Sequence, residues 1–274
     1  MNNSIHPCIW FDGEAKEAAI FYCSIFPDSK ITVDTPMVVN FEIYGKKIMG
    51  LNGGPMFKIN PSISFFVTCK NKAQTDEIYN RLAEAGEPLM AIGKYPWSER
   101  YGWIKDKYGL TWQIMLGNEE KICPSLLFTA DKFGKAEEAI HFYTGVFDNS
   151  SIDIMQHYPN ETPFAGKLMF SESKLNQYNL IAMDGPGDHA YTFNEAVSFV
   201  VECNNQDEID YYWNKLTEGG AESMCGWLKD KFGISWQIIP ANIGQLMSNP
   251  EKGSRVMQEI LKMKKLNLEI LMNA

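Results

Sequence analysis

One segment of this chain occurs twice, 124 positions apart (225 − 101), and this repeat limits the folds that the chain can adopt. Residues 101–115 read YGWIKDKYGLTWQIM and residues 225–239 read CGWLKDKFGISWQII, with nine of fifteen positions identical. Two further pairs of segments match at offsets of 121 and 134: 15–31 with 136–152, and 59–86 with 193–220. Solenoid repeats recur about every 20–50 residues, so a period this long indicates a duplicated domain.

The offset changes along the chain because the same elements recur in the same order with loops of different length. We predict a first domain at 1–118, a second domain at 119–243 and a C-terminal helical tail at 244–274. Each copy reads as a strand, a helix and three strands, followed by the same order again. One strand of the first copy, within 87–99, is hard to place.

The first copy carries ten additional residues in this region. Gly86 and Gly102 are 16 positions apart (102 − 86), whereas Gly220 and Gly226 are 6 apart (226 − 220). The insertion could cover the mouth of a pocket. The alternative is a surface loop with a packed Trp97.

Composition excludes several classes of partner. A net charge of −9 and a pI near 5.0 argue against nucleic-acid binding, which needs clustered Lys and Arg. No apolar stretch approaches the roughly 20 residues that span a bilayer, and the first residues lack the pattern of a secretory signal. The six cysteines form no C-x-x-C pair, which is typical of reduced thiols. We therefore expect a cytoplasmic protein that binds neither nucleic acid nor membrane.

The segments WFDGEAKEAAIFYCSIFPDSKI and GWIKDKYGLTWQI resemble the PhnB-like branch of the vicinal oxygen chelate superfamily. That superfamily includes glyoxalase I, bleomycin-resistance proteins and extradiol dioxygenases, and this subfamily is commonly labelled 3-demethylubiquinone-9 3-methyltransferase. The resemblance covers residues 5–116 and 122–240. It implies an α+β fold of tandem glyoxalase-like domains, each of two βαβββ modules forming a half-open mixed β-barrel around a cavity.

The resemblance also implies that the two domains pack as a pair within one chain, and a homodimer of such pairs is possible. The tail resembles the C-terminal helix of the same subfamily, with Pro250 at a plausible first helical position.

In metal-dependent relatives, His, Gln or Glu ligands come from the first, fourth, fifth and eighth strands. Here the resemblance places His6 and Gln113 at two such positions of the first copy, and Cys123 and Gln237 at those of the second. The fourth strands contain no His or Glu, and the fifth offer only hydroxyl groups. A divalent ion needs several converging donors. The residues therefore predict no complete metal site and no cofactor, with a divalent metal bound partly by His6 and Gln113 as the alternative.

The repeated segment itself predicts a hairpin. Alternation in its last strand places Trp112 and Ile114 on one face and Gln113 on the other. An amide in an aromatic cavity suits a polar group of a ligand. We therefore take five residues as candidate ligand-binding residues: Gln113, Gln237, Trp10, Trp103 and Trp227. The alternative is that each amide is satisfied by a neighbouring strand.

Three functions remain open on these residues. The first is binding of a small aromatic or polar molecule without a metal, as in bleomycin-resistance proteins, and the second is a metal-dependent lyase, isomerase or dioxygenase. In the third, one copy is only a packing partner of the other. Methyltransferase activity is disfavoured, because the Gly turns at 52–55 and 184–187 lead into loops and not into a Rossmann helix. No nucleophile and base recur together in both copies, so no catalytic residue is assigned.

Overall fold

The computed structural model describes residues 3–274. In the first copy it has eight strands: β1 (Ser4–Phe11), β2 (Ser29–Asp34), β3 (Val38–Ile43), β4 (Lys46–Asn52), β5 (Ile63–Cys69), β6 (Glu87–Tyr95), β7 (Ser98–Lys105) and β8 (Thr111–Leu116). The two helices of this copy are α1 (Ala15–Ile25) and α2 (Lys72–Leu82). The strand that the sequence left unplaced within 87–99 is β6.

The second copy repeats this order with its own eight strands: β9 (Lys121–Phe128), β10 (Ser151–His157), β11 (Leu168–Leu175), β12 (Tyr178–Asp184), β13 (Val197–Cys203), β14 (Ala221–Glu222), β15 (Trp227–Lys229) and β16 (Ser235–Pro240). Its helices are α3 (Ala136–Val146) and α4 (Gln206–Thr217), and a single 3₁₀ turn at 130–132 precedes α3.

The tail contains three short helices: α5 (Ile243–Ser248), α6 (Gly253–Ile260) and α7 (Leu268–Asn273). The expectation that Pro250 begins a helix is wrong. The side chain of Asn249 accepts hydrogen bonds from the backbone N–H groups of Glu251 and Lys252, which holds a turn there. Because that turn uses the first free N–H groups, the helix starts only at Gly253.

The sixteen strands form two open mixed sheets of eight strands each. The order in sheet 1 is β14-β15-β16-β13-β1-β4-β3-β2, and the order in sheet 2 is β10-β11-β12-β9-β5-β8-β7-β6. Each sheet therefore takes four strands from each copy. The α+β class with tandem glyoxalase-like units is confirmed, whereas the pairing of half of one copy with half of the other is a feature that the repeat did not indicate.

Two antiparallel seams join the copies. In sheet 1, β1 pairs with β13, and His6 lies opposite Val200. In sheet 2, β5 pairs with β9, and Ser64 lies opposite Ser125. The predicted boundary between residues 118 and 119 falls just before β9 and stays a prediction, since both copies contribute to both sheets.

The segments that lead from one sheet to the other are also bonded between the copies. The amide of Asn60 donates to the carbonyl of Thr192 at 3.0 Å, and the amide of Asn194 donates to the carbonyl of Lys58 at 2.8 Å. Asn60 and Asn194 occupy the same position of the repeat, so this contact is reciprocal, as in a two-fold interface.

The helices cover one face of each sheet and pack within their own copy. In the first copy, Tyr22 of α1 lies against the ring of Trp112 on β8, with centroids 5.0 Å apart. In the second copy, Tyr143 of α3 contacts Trp236 in the same way, at 5.5 Å. The alternation predicted for β8 is confirmed, because Trp112 and Ile114 are fully buried on this helix side.

A buried carboxylate closes each repeated hairpin. Oδ1 of Asp106 accepts from the N–H groups of Tyr108 and Leu110, at 2.8 and 3.0 Å. Oδ2 of Asp106 accepts from the Tyr22 hydroxyl and the Trp112 indole, both at 2.8 Å. The second copy repeats all four bonds at Asp230, with donors Phe232, Ile234, Tyr143 and Trp236. The repeated K-D-K-[Y/F]-G segment thus fixes the hairpin to the first helix of its own copy.

The two copies differ at the edge strand. Long β6 pairs with β7 in the first copy, but β14 has only two residues. In the second copy the tail takes this place, because Cys225 and Gly226 donate their N–H groups to the carbonyls of Met263 and Lys264, both at 2.7 Å. The tail therefore completes an edge that a long hairpin completes in the first copy. Among the described residues, no helix is long and apolar enough to cross a membrane.

Candidate functional site

The face of sheet 2 opposite its helices carries a buried polar network centred on Gln113. Nε2 of Gln113 donates to the hydroxyl of Ser64 at 2.7 Å and to that of Ser125 at 3.3 Å. Its Oε1 accepts from the hydroxyl of Tyr101 at 2.8 Å. Gln113 is 5% exposed, so these partners meet most of the hydrogen-bonding capacity of a buried amide.

Aromatic and sulfur-containing side chains surround this network. Phe66 lies 6.5 Å from Tyr101 and 6.3 Å from Phe170, measured between ring centroids. The remaining neighbours are apolar or weakly polar: Met90, Tyr95, Trp103, Met115, Cys123, Ile181 and Met183. Burial raises the pKa of the Cys123 thiol to about 12, so this group is neutral at ordinary pH. The network and these neighbours, called the sheet 2 face below, therefore contain no ionised side chain.

One donor on the sheet 2 face has no acceptor. The indole N–H of Trp103 is buried and makes no hydrogen bond with any described residue. Trp103 lies directly opposite Gln113 in the β7–β8 register. A buried donor without a partner costs about 1–3 kcal/mol, so this position favours an acceptor that is not part of the chain.

The insertion of the first copy forms the end of the β6–β7 hairpin beside this face. Tyr95 and Trp97 stack with centroids 5.1 Å apart, and both contact Tyr101 at 5.6 Å. Trp97 is 58% exposed, so the packed Trp97 of the alternative prediction is wrong. The short turn between β6 and β7 places the Trp97 ring at the outer edge of the sheet 2 face, where much of the ring is open to solvent.

The corresponding face of sheet 1 has a different set of side chains. Gln237 donates from Nε2 to the hydroxyl of Ser198 at 3.0 Å and lies beside Cys8. Burial raises the pKa of the Cys8 thiol to about 12. The repeat offset places Cys225 where the first copy has Tyr101 (225 − 124), so Gln237 lacks the phenol that holds Gln113.

Two tryptophans lie near Gln237. Trp10 and Trp227 meet edge to face, with centroids 5.9 Å apart, and Phe57 contacts Trp10 at 5.0 Å. The indole of Trp10 donates to the carbonyl of Gly54 at 2.6 Å. The ring lies so close to Gly53 that a Cβ there would approach it to 2.2 Å, which explains why the loop carries glycine.

His6 lies on the same face of β1 as Cys8 and is completely buried. Neither ring nitrogen of His6 has a hydrogen-bond partner among the described residues. Desolvation, with a smaller contribution from Lys47, lowers the pKa of His6 to about 3. The ring is therefore neutral at physiological pH.

The structure divides the predicted site residues between the two sheets. Gln237, Trp10 and Trp227 lie together on sheet 1, while Gln113 and Trp103 lie together on sheet 2. His6 is on sheet 1, so it is not brought together with Gln113, its proposed partner at a metal. The reason is the pairing of β1 with β13, which places the first strand of the first copy in the same sheet as β16 of the second copy and not in the sheet of β8.

The donors on either face do not fit a catalytic metal centre. Among residues 3–274 no group of three or more His, Cys, Asp or Glu side chains is placed to hold an ion. Sheet 1 offers one imidazole, one amide and one protonated thiol, whereas catalytic zinc sites use three protein ligands.

Sequence reasoning missed several residues of the sheet 2 face. The repeat does not mark Tyr101, because the second copy has Cys225 at that position, and Ser64 and Ser125 come from different copies. Phe170 lies on an edge region that the repeat does not highlight. The serine at the fifth strand does recur, as Ser64 and Ser198, and this recurrence was the one signal that could have joined it to the glutamines.

Comparison with known proteins agrees with the fold. The family model described as 3-demethylubiquinone-9 3-methyltransferase matches the chain twice, over residues 3–115 and 120–239. The chain is similar to a putative 3-demethylubiquinone-9 3-methyltransferase, PhnB protein, from Bacillus cereus, with 32% identity over 40% of this chain and 96% of that one and a TM-score of 0.38. It is also similar to glyoxalase I from Zea mays, with 12% identity over 88% of this chain and 94% of that one and a TM-score of 0.58. No curated protein matches the sequence.

The maize likeness shows the fold alone, and it extends through both copies. The family model fits each copy separately and together the two matches cover most of the chain. The duplication predicted from the repeat is thereby confirmed. The chain belongs to the PhnB-like 3-demethylubiquinone-9 3-methyltransferase family, as two tandem copies on a glyoxalase-type fold.

Proposed function

We propose that the protein binds a small, uncharged aromatic molecule on the sheet 2 face, without a metal. The observation that carries this proposal is the buried indole N–H of Trp103, which has no acceptor within the chain. A ligand carbonyl or ether oxygen would accept this bond. Ligand sites typically combine an apolar lining with a few placed polar groups, as this face does.

The lining determines the class of ligand. The side chains of the sheet 2 face carry no charge, and the charged residues near Cys123 include Lys121 and Glu172, which form an ion pair with each other. A charged ligand would therefore lose its hydration without gaining a partner. Tyr95 and Trp97 provide a flat outer surface on which an aromatic ring can stack. Met90 and Met115 are only partly buried, and flexible thioether side chains can move to admit a ring.

Gln113 has a supporting role in this proposal. Its amide is bonded to two serines and a tyrosine, so it has little capacity left for a ligand. It holds Tyr101 in place, and Tyr101 in turn contacts both rings of the hairpin. The alternative that the sequence left open, an amide satisfied by its neighbouring strands, describes Gln113 well.

The test compares Trp103→Phe with the matched variant Trp227→Phe in sheet 1. Binding of coumarin, a neutral aromatic lactone, is followed by isothermal titration calorimetry. We expect Trp103→Phe to weaken binding about fivefold, since one hydrogen bond of about 1 kcal/mol is lost. Trp227→Phe should bind as the unmodified protein does. Equal affinities for all three proteins, or a loss confined to Trp227→Phe, would contradict the proposal.

A metal-dependent lyase, isomerase or dioxygenase is the second candidate, and it rests on His6. Its two unpartnered ring nitrogens make it the one free imidazole on either face of the described sheets. Because the donor set is incomplete, we expect the purified protein to contain no stoichiometric Zn, Ni, Mn or Fe. The measurement is elemental analysis without added ions, with His6→Leu as control. About one ion per chain that disappears in His6→Leu would favour the enzyme.

The methyltransferase named in the family description is not part of the proposal. A Rossmann-type methyltransferase binds its cofactor at the carboxyl edge of a doubly wound parallel sheet. Both sheets here are mixed, and their central seams are antiparallel. The cofactor geometry of that class therefore has no counterpart in this fold.

A further inference from the structure

A cleft of about 490 Å³ lies in the first copy between the end of α1 and the side of α2. We call it the α1–α2 cleft, and its main lining residues are Phe26, Pro27, Asp28, Gln74, Glu77 and Ile78. It is on the helix side of the fold, away from both faces described above. Its volume is in the range of pockets that hold small molecules.

The second copy has the same backbone conformation after α3, at 147–150, as the first copy has after α1, at 26–29. Each of these two segments is called a frame below. In the first copy the hydroxyl of Ser29 donates to the carbonyl of Phe26 at 2.7 Å, and in the second Ser150 donates to Phe147 at 2.6 Å. The residue before each serine has a left-handed backbone, with φ of 55° at Asp28 and 52° at Asn149. The two frames can therefore be compared position by position.

A tyrosine of α4 lies within the frame of the second copy. The hydroxyl of Tyr211 donates to the carbonyl of Val146 at 2.9 Å, at the last turn of α3. Its ring meets that of Tyr212 edge to face at 5.1 Å. The chain itself thus shows which group this frame accommodates, namely an aromatic ring with a hydrogen-bond donor directed at the helix end.

The first copy lacks that tyrosine. The offset of 134 places Glu77 at the position of Tyr211 (211 − 134), and Glu77 is exposed. The offset of 121 places Ile25 at the position of Val146 (146 − 121). Within the described part of the chain the carbonyl of Ile25 accepts no hydrogen bond. The first copy therefore has space for an aromatic ring and a carbonyl that can accept a hydrogen bond from it, but it has no tyrosine at this position.

Charge at the α1–α2 cleft favours a cation. Asp28 and Glu77 contribute two carboxylates, and the carbonyl of Ile25 lies at the negative end of the α1 helix dipole. Arg81 is the nearby cation, and its guanidinium is bonded to the carbonyl and hydroxyl of Ser24 at the rim. The net charge of these groups is −1, so a positively charged ligand is attracted.

We propose that the α1–α2 cleft binds an arylalkylamine, that is, an aromatic ring carrying a protonated amine. The ring lies on Phe26 and Ile78, where the second copy has the ring of Tyr211. A donor on the ligand bonds to the Ile25 carbonyl, and the ammonium group lies near Glu77 and Asp28. This site is independent of the ligand proposed for the sheet 2 face.

The experiment uses tyramine, which has both a phenol and a primary amine, and measures affinity and stoichiometry by calorimetry. We expect one tyramine per chain. Glu77→Tyr reproduces the second copy and is expected to weaken binding at least tenfold, because the new side chain takes the space of the ligand. Tyr211→Glu opens the second frame and is expected to raise the stoichiometry to two.

Further measurements distinguish the effect of the shape of the cleft from the effect of its charge. They also distinguish the α1–α2 cleft from the sheet 2 face. Glu77→Gln keeps the cleft but removes a carboxylate, and a partly exposed ion pair is worth about 0.2–1 kcal/mol, so affinity should fall up to about fivefold. p-Cresol, the uncharged analogue, should bind more weakly than tyramine. Trp103→Phe should leave tyramine binding unchanged. Full tyramine binding by Glu77→Tyr, or no binding by the unmodified chain, would overturn the proposal.

Discussion

Replacing Asp106 with alanine is expected to lower the free energy of unfolding by about 3–5 kcal/mol. Asp106 is 2% exposed and accepts four hydrogen bonds, two from backbone N–H groups and two from the side chains of Tyr22 and Trp112. Alanine leaves all four donors without an acceptor, three of them in buried positions. The loss should be visible in urea unfolding and as a fall in the midpoint temperature on the order of 10 °C.

The expected loss of stability is large because the Asp106 carboxylate connects two parts of the first copy. Burial raises the pKa of Asp106 to about 6, against the four hydrogen bonds that favour the ionised form. The carboxylate links the β7–β8 turn to α1, so its loss affects the packing of both halves of the first copy. Asp230 does the same in the second copy, and Asp230→Ala should cost a similar amount.

Two variants check this explanation. Tyr22→Phe removes one of the four donors and keeps the ring, so it should cost only about 1 kcal/mol. Asp12→Ala removes an exposed carboxylate and should change stability by less than about 0.5 kcal/mol. An effect of Asp106→Ala no larger than that of Asp12→Ala would show that the four bonds do not hold the hairpin.

Acid is expected to destabilise the unmodified protein more than the His6→Leu variant. Between pH 7.5 and pH 4.5 the difference should reach about 2–3 kcal/mol in the free energy of unfolding. The cause is the burial of His6, which lowers its pKa from 6.5 to about 3. Urea unfolding at the two pH values, for both proteins, measures the difference.

The sign follows from which state takes up the proton first. Above about pH 6.5 the imidazole is neutral in both states, so it makes no pH-dependent contribution. As the pH falls from 6.5 towards 3, the unfolded chain binds a proton that the folded chain excludes, and stability is lost. Asp106, whose pKa is raised to about 6, acts in the opposite direction, but it is present in both proteins and cancels in the comparison.

The groups that face His6 support this expectation. Lys47 on β4 lies nearby and forms an ion pair with Glu202 of β13 at 2.6 Å, so its charge is partly balanced. Cys8, the next residue on this face of β1, is neutral. His141→Leu, at an exposed histidine, is the control for the replacement of an imidazole by leucine. Parallel curves for the unmodified protein and His6→Leu would mean that His6 gains a partner or solvent in solution.

Much of the local structure could be predicted from particular residues. The alternation that separates Trp112 from Gln113 holds in β8, since the indole packs on Tyr22 and the amide joins the network of Ser64 and Ser125. Asp106 accepts hydrogen bonds from its neighbours' backbone in the turn, as short polar side chains at turns commonly do. Its second oxygen, which reaches Tyr22 from another part of the chain, was not predictable from spacing.

The candidate site was predicted less completely. The five proposed ligand residues were predicted as one set, but they lie on two faces of different sheets, and their binding of a ligand stays a prediction. The orphaned N–H of Trp103 and the partnerless ring of His6 are properties of three-dimensional surroundings. The α1–α2 cleft depends on one difference between the copies, Glu77 against Tyr211, which has meaning only once both side chains are placed.

The sequence by itself determined the duplication, the order of strands and helices and the two repeated hairpins, because periodicity, turn residues and side-chain alternation act over a few neighbouring positions. Only the tertiary structure decided that β1 pairs with β13 and β5 with β9, and so which residues share a face. Pairing between distant strands is selected by the packing of both faces at once, and no short stretch of chain records that choice.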